Sequence, residues 1–237
     1  ELISINALDE LKRVQAGSSH ITIGAAASLE DAWAALASEW PSLRDVRLRF
    51  ASLPIRRAGT MGGNVANGSP IGDSAPVLIA LGATLVLQKG TVQRRMPLED
   101  FYVDYMKNRL EPGEFVHSLE VPRARATQRV QAYKISKRFD CDISAVCAAL
   151  VVELQGDSVS DARLAFGGMA GIVKRAAMAE AALVGQPWTE TTLKAAQAAL
   201  STDFTPLTDM RASAAYRMQV AQNLLRRFWL QTRPQGA

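Results

Sequence analysis

The most constraining feature of this sequence is the glycine-rich stretch of residues 50–73, FASLPIRRAGTMGGNVANGSPIGD. It holds five glycines, two prolines, two asparagines, two serines and a threonine in 24 residues. Little of it has the periodicity of a helix or strand, so we expect an irregular binding loop.

Gly62 and Gly63 allow close backbone approach. A run of exposed amides beside short polar side chains suits a phosphate or another polyanion. Those side chains belong to Thr60, Asn64, Asn67 and Ser69. An Ω-loop held together by its own polar side chains is the alternative.

The composition excludes several classes of protein. The 237 residues are 48% hydrophobic and 21% charged, as in an ordinary globular chain. No apolar run approaches the roughly 18 residues of a membrane span, and the start lacks a signal pattern. The net charge of +4 is spread along the chain without interleaved aromatics, which disfavours nucleic-acid binding. We expect a cytoplasmic protein.

The cysteines and histidines do not form a metal-binding pattern. Cys141 and Cys147 are six residues apart, and His20 and His117 lack companions at ligand spacing. We therefore expect no protein-bound metal, and too few thiolates for an iron–sulfur cluster. Cys147 lies in an apolar run and is expected to be a buried thiol.

The first half of the chain is predicted to alternate strands and helices. In order, we predict a strand over 20–25, a helix capped by Ser28, a helix from Pro41, a helix over 74–81 capped by Asp73, a hairpin around Lys89–Gly90, and a strand that stops at Pro122.

The composition changes at the polar residues 123–128, which we interpret as a boundary. Three strand-like runs follow, with a turn at Gly156–Asp157, and they predict an antiparallel meander. Helices with N-caps at Thr189 and Ser213 complete the chain. The stretch 137–142, KRFDCD, places two carboxylates and two cations between strands. It either faces a site or is a solvated turn.

The residues alone indicate a binding domain for a polar, anionic ligand, and no nucleophile–base pair is visible. Several stretches also resemble, in order, the FAD-binding domain of the molybdenum hydroxylases. They are IRRAGTMGGN (55–64), GSPIGDSAP (68–76), PGEF (112–115), LEVP (119–122), YKISKRFDCDIS (133–144) and FGGMA (166–170). Within the family, KRFDCDI resembles the branch of the small FAD and iron–sulfur subunit of bacterial xanthine dehydrogenases.

The resemblance implies an α+β fold in two parts. Residues 1–124 would form a mixed α/β FAD-binding subdomain of the PCMH type. Residues 125–237 would form a C-terminal flavoprotein subdomain, a three-stranded antiparallel sheet packed on a helical bundle. FAD would lie between the two. The family's first FAD-binding loop would precede Glu1, so the N-terminal part of the first subdomain is expected to be missing from this sequence.

The resemblance also implies a set of cofactor-binding residues. The set is Phe50, Thr60, Met61, Gly62, Gly63, Asn64, Ser69, Asp73, Val116, Lys134, Asp140 and Asp142. In the family, the positions of Thr60–Asn64 hold the pyrophosphate and ribityl region of FAD. The position of Asp73 contacts the adenine-nucleotide half.

The remaining positions would surround the flavin ring. Phe50 matches an aromatic residue placed against the ring, and Val116 matches an apolar residue packed on it. Lys134 matches a lysine that contacts the cofactor. The acidic residues 140–142 match a loop near the approach of NAD+, although Cys141 replaces the acid common at its middle position.

The implied function is electron transfer from iron–sulfur clusters through FAD to NAD+, during oxidation of hypoxanthine or xanthine to urate. The [2Fe–2S] clusters and the molybdopterin would belong to an iron–sulfur domain and a molybdenum-binding large subunit. One alternative is the FAD subunit of a molybdenum hydroxylase that oxidises CO, nicotinate or aldehydes. Another is a cofactor-free scaffold domain.

Overall fold

The computed structural model describes residue 5 and residues 7–233 as an α+β fold with two main antiparallel sheets. The first sheet has five strands. In spatial order they are β1 (Val14–Ala16), β2 (His20–Gly24), β7 (Phe115–Pro122), β3 (Thr84–Lys89) and β4 (Val92–Pro97). A separate ribbon contains β5 (Tyr102–Asp104) and β6 (Lys107–Asn108). The predicted hairpin around Lys89–Gly90 is confirmed as the β3–β4 pair.

The second sheet is the predicted meander with one short strand added. In spatial order it comprises β11 (Lys174–Arg175), β10 (Ser158–Gly167), β9 (Val146–Gln155) and β8 (Gln128–Ile135). The sequence predicts only three strands here. The two-residue strand β11 is not predicted because it has no apolar alternation of its own. It pairs with Ala165 and Phe166 of β10.

Eight α-helices complete the described part of the chain. They are α1 (Leu29–Glu39), α2 (Arg44–Arg49), α3 (Leu53–Ala58), α4 (Met61–Ala66), α5 (Ser74–Ala80), α6 (Ala177–Leu183), α7 (Glu190–Asp203) and α8 (Ala214–Thr232). The caps predicted at Ser28, Thr189 and Ser213 are confirmed, since each side chain accepts a bond from the amide three residues on. Across the described residues, no helix combines the length and apolar character needed to cross a membrane.

The expectation that residues 50–73 form an irregular loop is wrong, because the stretch contains α3 and α4. Each helix has only six residues, too few for periodicity to be visible in the sequence. Isolated helices of this length are unstable in water, so contacts with the rest of the chain must hold them.

The second sheet is buried on both faces. Ala149 and Val151 of β9 belong to the core that contains α5 and the first sheet. Their neighbours Ala148 and Leu150 point the other way, into a core shared with α6, α7 and α8. This explains why β9 is a continuous apolar run. The helix α5 is buried on every side and packs on β9 and β10.

The start of α6 is capped from a different helix. Its own N-cap residue, Ala176, has no side chain able to accept a bond. Instead, the carboxylate of Asp203, at the end of α7, accepts bonds from the amides of Met178 and Ala179, both at 2.9 Å.

We therefore expect Asp203→Ala to lower the free energy of unfolding by about 2 kcal/mol, because it leaves two amides at the start of α6 without an acceptor. Urea denaturation followed by circular dichroism measures the change. A loss of less than about 0.5 kcal/mol, the size of an ordinary surface substitution, would contradict it.

Candidate functional site

Gly62 lies where α4 touches the chain just after β2. Its amide donates to the carbonyl oxygen of Ala25, and the amide of Met61 donates to that of Ala27, both at 2.9 Å. A Cβ on Gly62 would lie 2.5 Å from Cβ of Ala25 and 2.7 Å from its Cα and carbonyl oxygen. The glycine is therefore required by packing of one chain segment on another. Met61 is fully buried in the core.

The other two amides in the first turn of α4 bond to Thr60, the residue that precedes the helix. Oγ1 of Thr60 accepts the amide of Gly63 at 3.1 Å, and the carbonyl oxygen of Thr60 accepts the amide of Asn64 at 3.0 Å. Together with the bonds of Met61 and Gly62, these engage every amide of residues 61–64. The prediction of a run of free amides that could bind an anion is therefore wrong. The side chain of Asn64 remains available, and the backbone of Gly63 is exposed.

A cleft of about 450 Å³ lies between residues 50–73 and the connection from β8 to β9. It gathers half of the predicted cofactor-binding set. Those lining residues are Phe50, Asn64, Ser69, Asp73, Lys134 and Asp142. The volume is within the range of small-molecule sites.

The other six predicted residues lie outside the lining of this cleft. Four of them, Thr60 to Gly63, form the cap and first turn of α4. Val116 is buried on β7, in the same core as Met61. Asp140 is exposed in the β8–β9 connection, two residues before Asp142.

A buried group of three polar side chains forms one wall of the cleft. Nζ of Lys134 donates to Oδ2 of Asp73 at 2.6 Å and to Oγ of Ser144 at 2.8 Å. The hydroxyl of Ser144 donates to Oδ1 of Asp73 at 2.5 Å. The side chains of Lys134 and Asp73 are only 2% and 7% exposed. Asp73 does precede α5, but its carboxylate makes no cap bond, so that prediction is wrong.

Cys147 lies beneath this group, with Sγ 3.9 Å from the carbonyl oxygen of Asp73. Burial raises the pKa of the Cys147 thiol well above its usual value, and the nearby Asp73 carboxylate adds to the effect. The prediction of a buried thiol is confirmed.

The opposite wall depends on Arg56, a residue whose role sequence reasoning missed. Its buried guanidinium donates to the carbonyl oxygens of Phe50 at 2.9 Å and Ala51 at 3.0 Å, and to Oε2 of Glu30 at 2.5 Å. Ala51 has a φ of +46°, in the left-handed region that non-glycine residues avoid. Arg56 thus holds a strained turn that places Phe50, itself packed on Trp33, at the cleft.

Arg49 joins the two walls. It reaches from α2 to the carbonyl oxygens of Lys134, at 2.9 Å, and Phe139, at 3.0 Å. Its guanidinium also lies 4.5 Å from the centre of the Phe139 ring. A cationic side chain with these partners fixes the position of the β8–β9 connection relative to α2.

The stretch KRFDCD is this connection, and part of it faces the cleft. Cys141, exposed with a φ of +53°, and Asp142 line the cleft. The carboxylate of Asp142 accepts the amides of Arg138 and Ile143. Bonds to Arg138, first of all from its backbone amide, lower the pKa of Asp142.

The chemistry of the cleft suits a flat ring system with a polar edge. Ile55 and Ile143 line the cleft with 58% and 49% of their surfaces exposed, and Phe50, which is buried, adds an aromatic ring to the lining. Lys134 and Asn64 supply hydrogen-bond donors at the same cleft. An apolar slot with a few polar groups is typical of a cofactor site.

The bond to Arg56 is the main cause of a lowered pKa for Glu30, which Arg47 lowers further. A carboxyl group with a lower pKa in the folded state stabilises the fold above its unfolded pKa, and that contribution is lost as the pH falls through the folded value. The free energy of unfolding should therefore fall as the pH drops below 4.5, the ordinary pKa of a glutamate side chain. We expect Glu30→Gln to lower stability at neutral pH and to make this decline shallower. Parallel curves in a urea series from about pH 3 to pH 7 would contradict the assignment.

Gly62→Ala should lower the free energy of unfolding by about 3 kcal/mol or destroy the fold, because the new methyl group meets backbone atoms that cannot move away. Gly171→Ala is the matched control, since a Cβ there has no heavy atom within 4 Å. Thermal unfolding of both variants measures the difference. Equal melting temperatures would show that α4 can shift away from Ala25.

Comparison with known proteins identifies two family matches that together span most of the chain. The family described as the FAD binding domain in molybdopterin dehydrogenase matches residues 1–124. The family described as the CO dehydrogenase flavoprotein C-terminal domain matches residues 131–232.

The individual relatives are named for different activities. Xanthine dehydrogenase of Emericella nidulans is 32% identical over 94% of this chain, but the chain spans only 17% of that protein. The glyceraldehyde dehydrogenase medium chain of Sulfolobus acidocaldarius is 28% identical, over 94% of this chain and 79% of the relative.

Among solved structures, a carbon monoxide dehydrogenase from Hydrogenophaga pseudoflava superposes with a TM-score of 0.87 at 28% identity. The match covers 94% of this chain and 78% of that one. The sequence relationship and the shared fold lead to the same assignment. The protein belongs to the family of FAD-binding domains in molybdopterin dehydrogenases.

Proposed function

We propose that this chain is the FAD-carrying module of a multi-component molybdenum hydroxylase. The observation that carries the proposal is the cleft at which Phe50, Asn64, Asp73 and Lys134 meet. These residues come from both sides of the division near residue 124, so a cofactor bound there would be held by both predicted subdomains.

The residues of the cleft suit the flavin half of the cofactor better than its phosphates. Phe50 and Ile143 would cover the ring and exclude water from it. Lys134, a buried cation in the wall, would stabilise negative charge at the ring's polar edge. Because the amides of residues 61–64 are used within the protein, the pyrophosphate would depend on side chains such as Asn64 and on other segments of the subunit.

FAD, when bound, supplies the chemistry of accepting electrons from an iron–sulfur donor and passing hydride to a second acceptor. The chain's own contribution would be to hold the ring and fix the charges around it. The partners would be an iron–sulfur domain and a molybdenum-binding large subunit, in the cytoplasm.

The finer proposal is a xanthine dehydrogenase with NAD+ as its acceptor. It is supported by the KRFDCDI stretch and by similarity to a xanthine dehydrogenase. The relatives named for glyceraldehyde and carbon monoxide support a different substrate equally well. A cofactor-free scaffold has one observation in its favour, because the first turn of α4 is fully bonded without any ligand.

The first test is FAD binding by the full-length subunit. We expect the visible absorbance of oxidised flavin after reconstitution, and at least about tenfold weaker binding by the double variant Asp73→Asn/Lys134→Met. Removing both partners avoids an unpaired buried charge, which would cost about 3–5 kcal/mol.

Lys137→Met is the matched control, because this exposed lysine lies outside the lining of the cleft and bonds to the carbonyl oxygen of Met210. It should bind FAD as the unmodified subunit does. A folded, colourless subunit that takes up no FAD would favour the scaffold.

The second test concerns the acceptor. We expect the reduced holoenzyme to be reoxidised faster by NAD+ than by O2 in stopped-flow mixing. Rapid reaction with O2 alone would reject the dehydrogenase assignment. Steady-state assays of the same preparation with xanthine, glyceraldehyde and CO would separate the candidate substrates.

A further inference from the structure

We infer that Ser144 is a positioning residue that orients the charge of Lys134 in the cleft and so raises the reduction potential of the flavin held there. The inference rests on the proposed function, since it concerns the same site. Ser144 is 1% exposed and lines the cleft from the β8–β9 connection, two residues before β9 begins.

The direction of each bond in the group follows from chemistry. A lysine ammonium can only donate and an aspartate carboxylate can only accept. The hydroxyl of Ser144 has one proton, so it must accept from Lys134 and donate to Asp73. The serine therefore links the two charges, because it accepts a hydrogen bond from Lys134 and donates one to Asp73. Both carboxylate oxygens of Asp73 consequently have a donor.

This arrangement leaves Lys134 with one proton to spare. Nζ carries three protons, and the described residues supply two acceptors within bonding distance, Asp73 and Ser144. The side chain is 2% exposed and belongs to the cleft wall, so bulk water has little access to the third proton. Weak screening by water strengthens the effect of this charge on a ligand bound in the cleft.

The backbone fixes the serine as well. The next residue, Ala145, donates its amide to the carbonyl oxygen of Ile135 at 2.7 Å. Its carbonyl oxygen accepts from the guanidinium of Arg217, which is 2% exposed. Ser144 is thus held next to a residue bonded on both sides, and its hydroxyl is pre-oriented before any ligand binds.

Without this hydroxyl, Oδ1 of Asp73 loses the one side-chain donor that the described residues supply to it, while Oδ2 keeps its bond from Lys134. The ammonium of Lys134 would then be drawn onto both carboxylate oxygens. A cation shielded in this way stabilises less of the negative charge that a ring gains on reduction. The reduced flavin would be bound more weakly relative to the oxidised form.

The experiment measures the two-electron midpoint potential of FAD bound to the full-length subunit carrying Ser144→Ala. We expect a fall of about 30 mV, which corresponds to a tenfold loss in the relative affinity for reduced flavin. Ser144→Cys, which keeps a small side chain but bonds weakly, should shift the potential in the same direction. It replaces the alanine variant if that variant does not fold.

Two controls separate positioning from stability. Asp203→Ala weakens the fold on the far side of the second sheet and should leave the potential unchanged. Ser160→Ala makes the same substitution at an exposed position of β10, where the hydroxyl bonds to the carbonyl oxygen of Glu153, and should also leave it unchanged.

The outcomes are distinct. An unmodified subunit that binds no FAD overturns the proposed function and this inference together. A subunit that binds FAD, with the same potential in both Ser144 variants and the unmodified protein, overturns this inference alone. An equal shift in Asp203→Ala would likewise overturn it, because the effect would then follow stability.

Discussion

The buried ion pair between Asp73 and Lys134 is the interaction on which the candidate site depends. It joins the start of α5 to β8 across 61 residues of sequence, and both charges lie almost entirely out of water. A buried pair is stabilised when other polar groups bond to its partners, and Ser144 supplies one such bond to each of them. Losing one partner alone would leave a charge in the wall of the cleft, so the pair fixes the site and the packing of α5 on the second sheet together.

Arginines perform the same role at the edges of the cleft. Arg56 holds the strained turn at Ala51 and Arg49 holds the β8–β9 connection, each through bonds to backbone carbonyl oxygens. The planar guanidinium suits this task because it donates in several fixed directions at once. The walls are therefore set by side chains that do not need the ligand, which is the behaviour expected of a site formed before its cofactor binds.

Local rules were sufficient for much of the fold. The caps at Ser28, Thr189 and Ser213 and the β3–β4 hairpin follow from neighbouring residues, and the sequence predicts them correctly. Contacts over long distances were not predictable in this way. The sequence predicts a helix cap at Asp73, and local patterns do not reveal its actual partners because these lie 61 and 71 residues away. The helices α3 and α4 are not predicted because they depend on Arg56 and on the contact of Gly62 with Ala25, which leave no periodic pattern in the sequence.

The same distinction changes how the glycine-rich stretch is understood. Sequence reasoning explained Gly62 and Gly63 by a bound phosphate, whereas the structure gives Gly62 a reason within the chain, its contact with Ala25. A glycine that looks like part of a phosphate site can therefore serve packing that places other residues at the ligand. Here the close approach of α4 to the end of β2 fixes where the next residue of interest, Asn64, meets the cleft. The glycine-rich stretch would then support cofactor binding indirectly, by positioning side chains. Side chains from both walls would make the contacts that the backbone amides do not make.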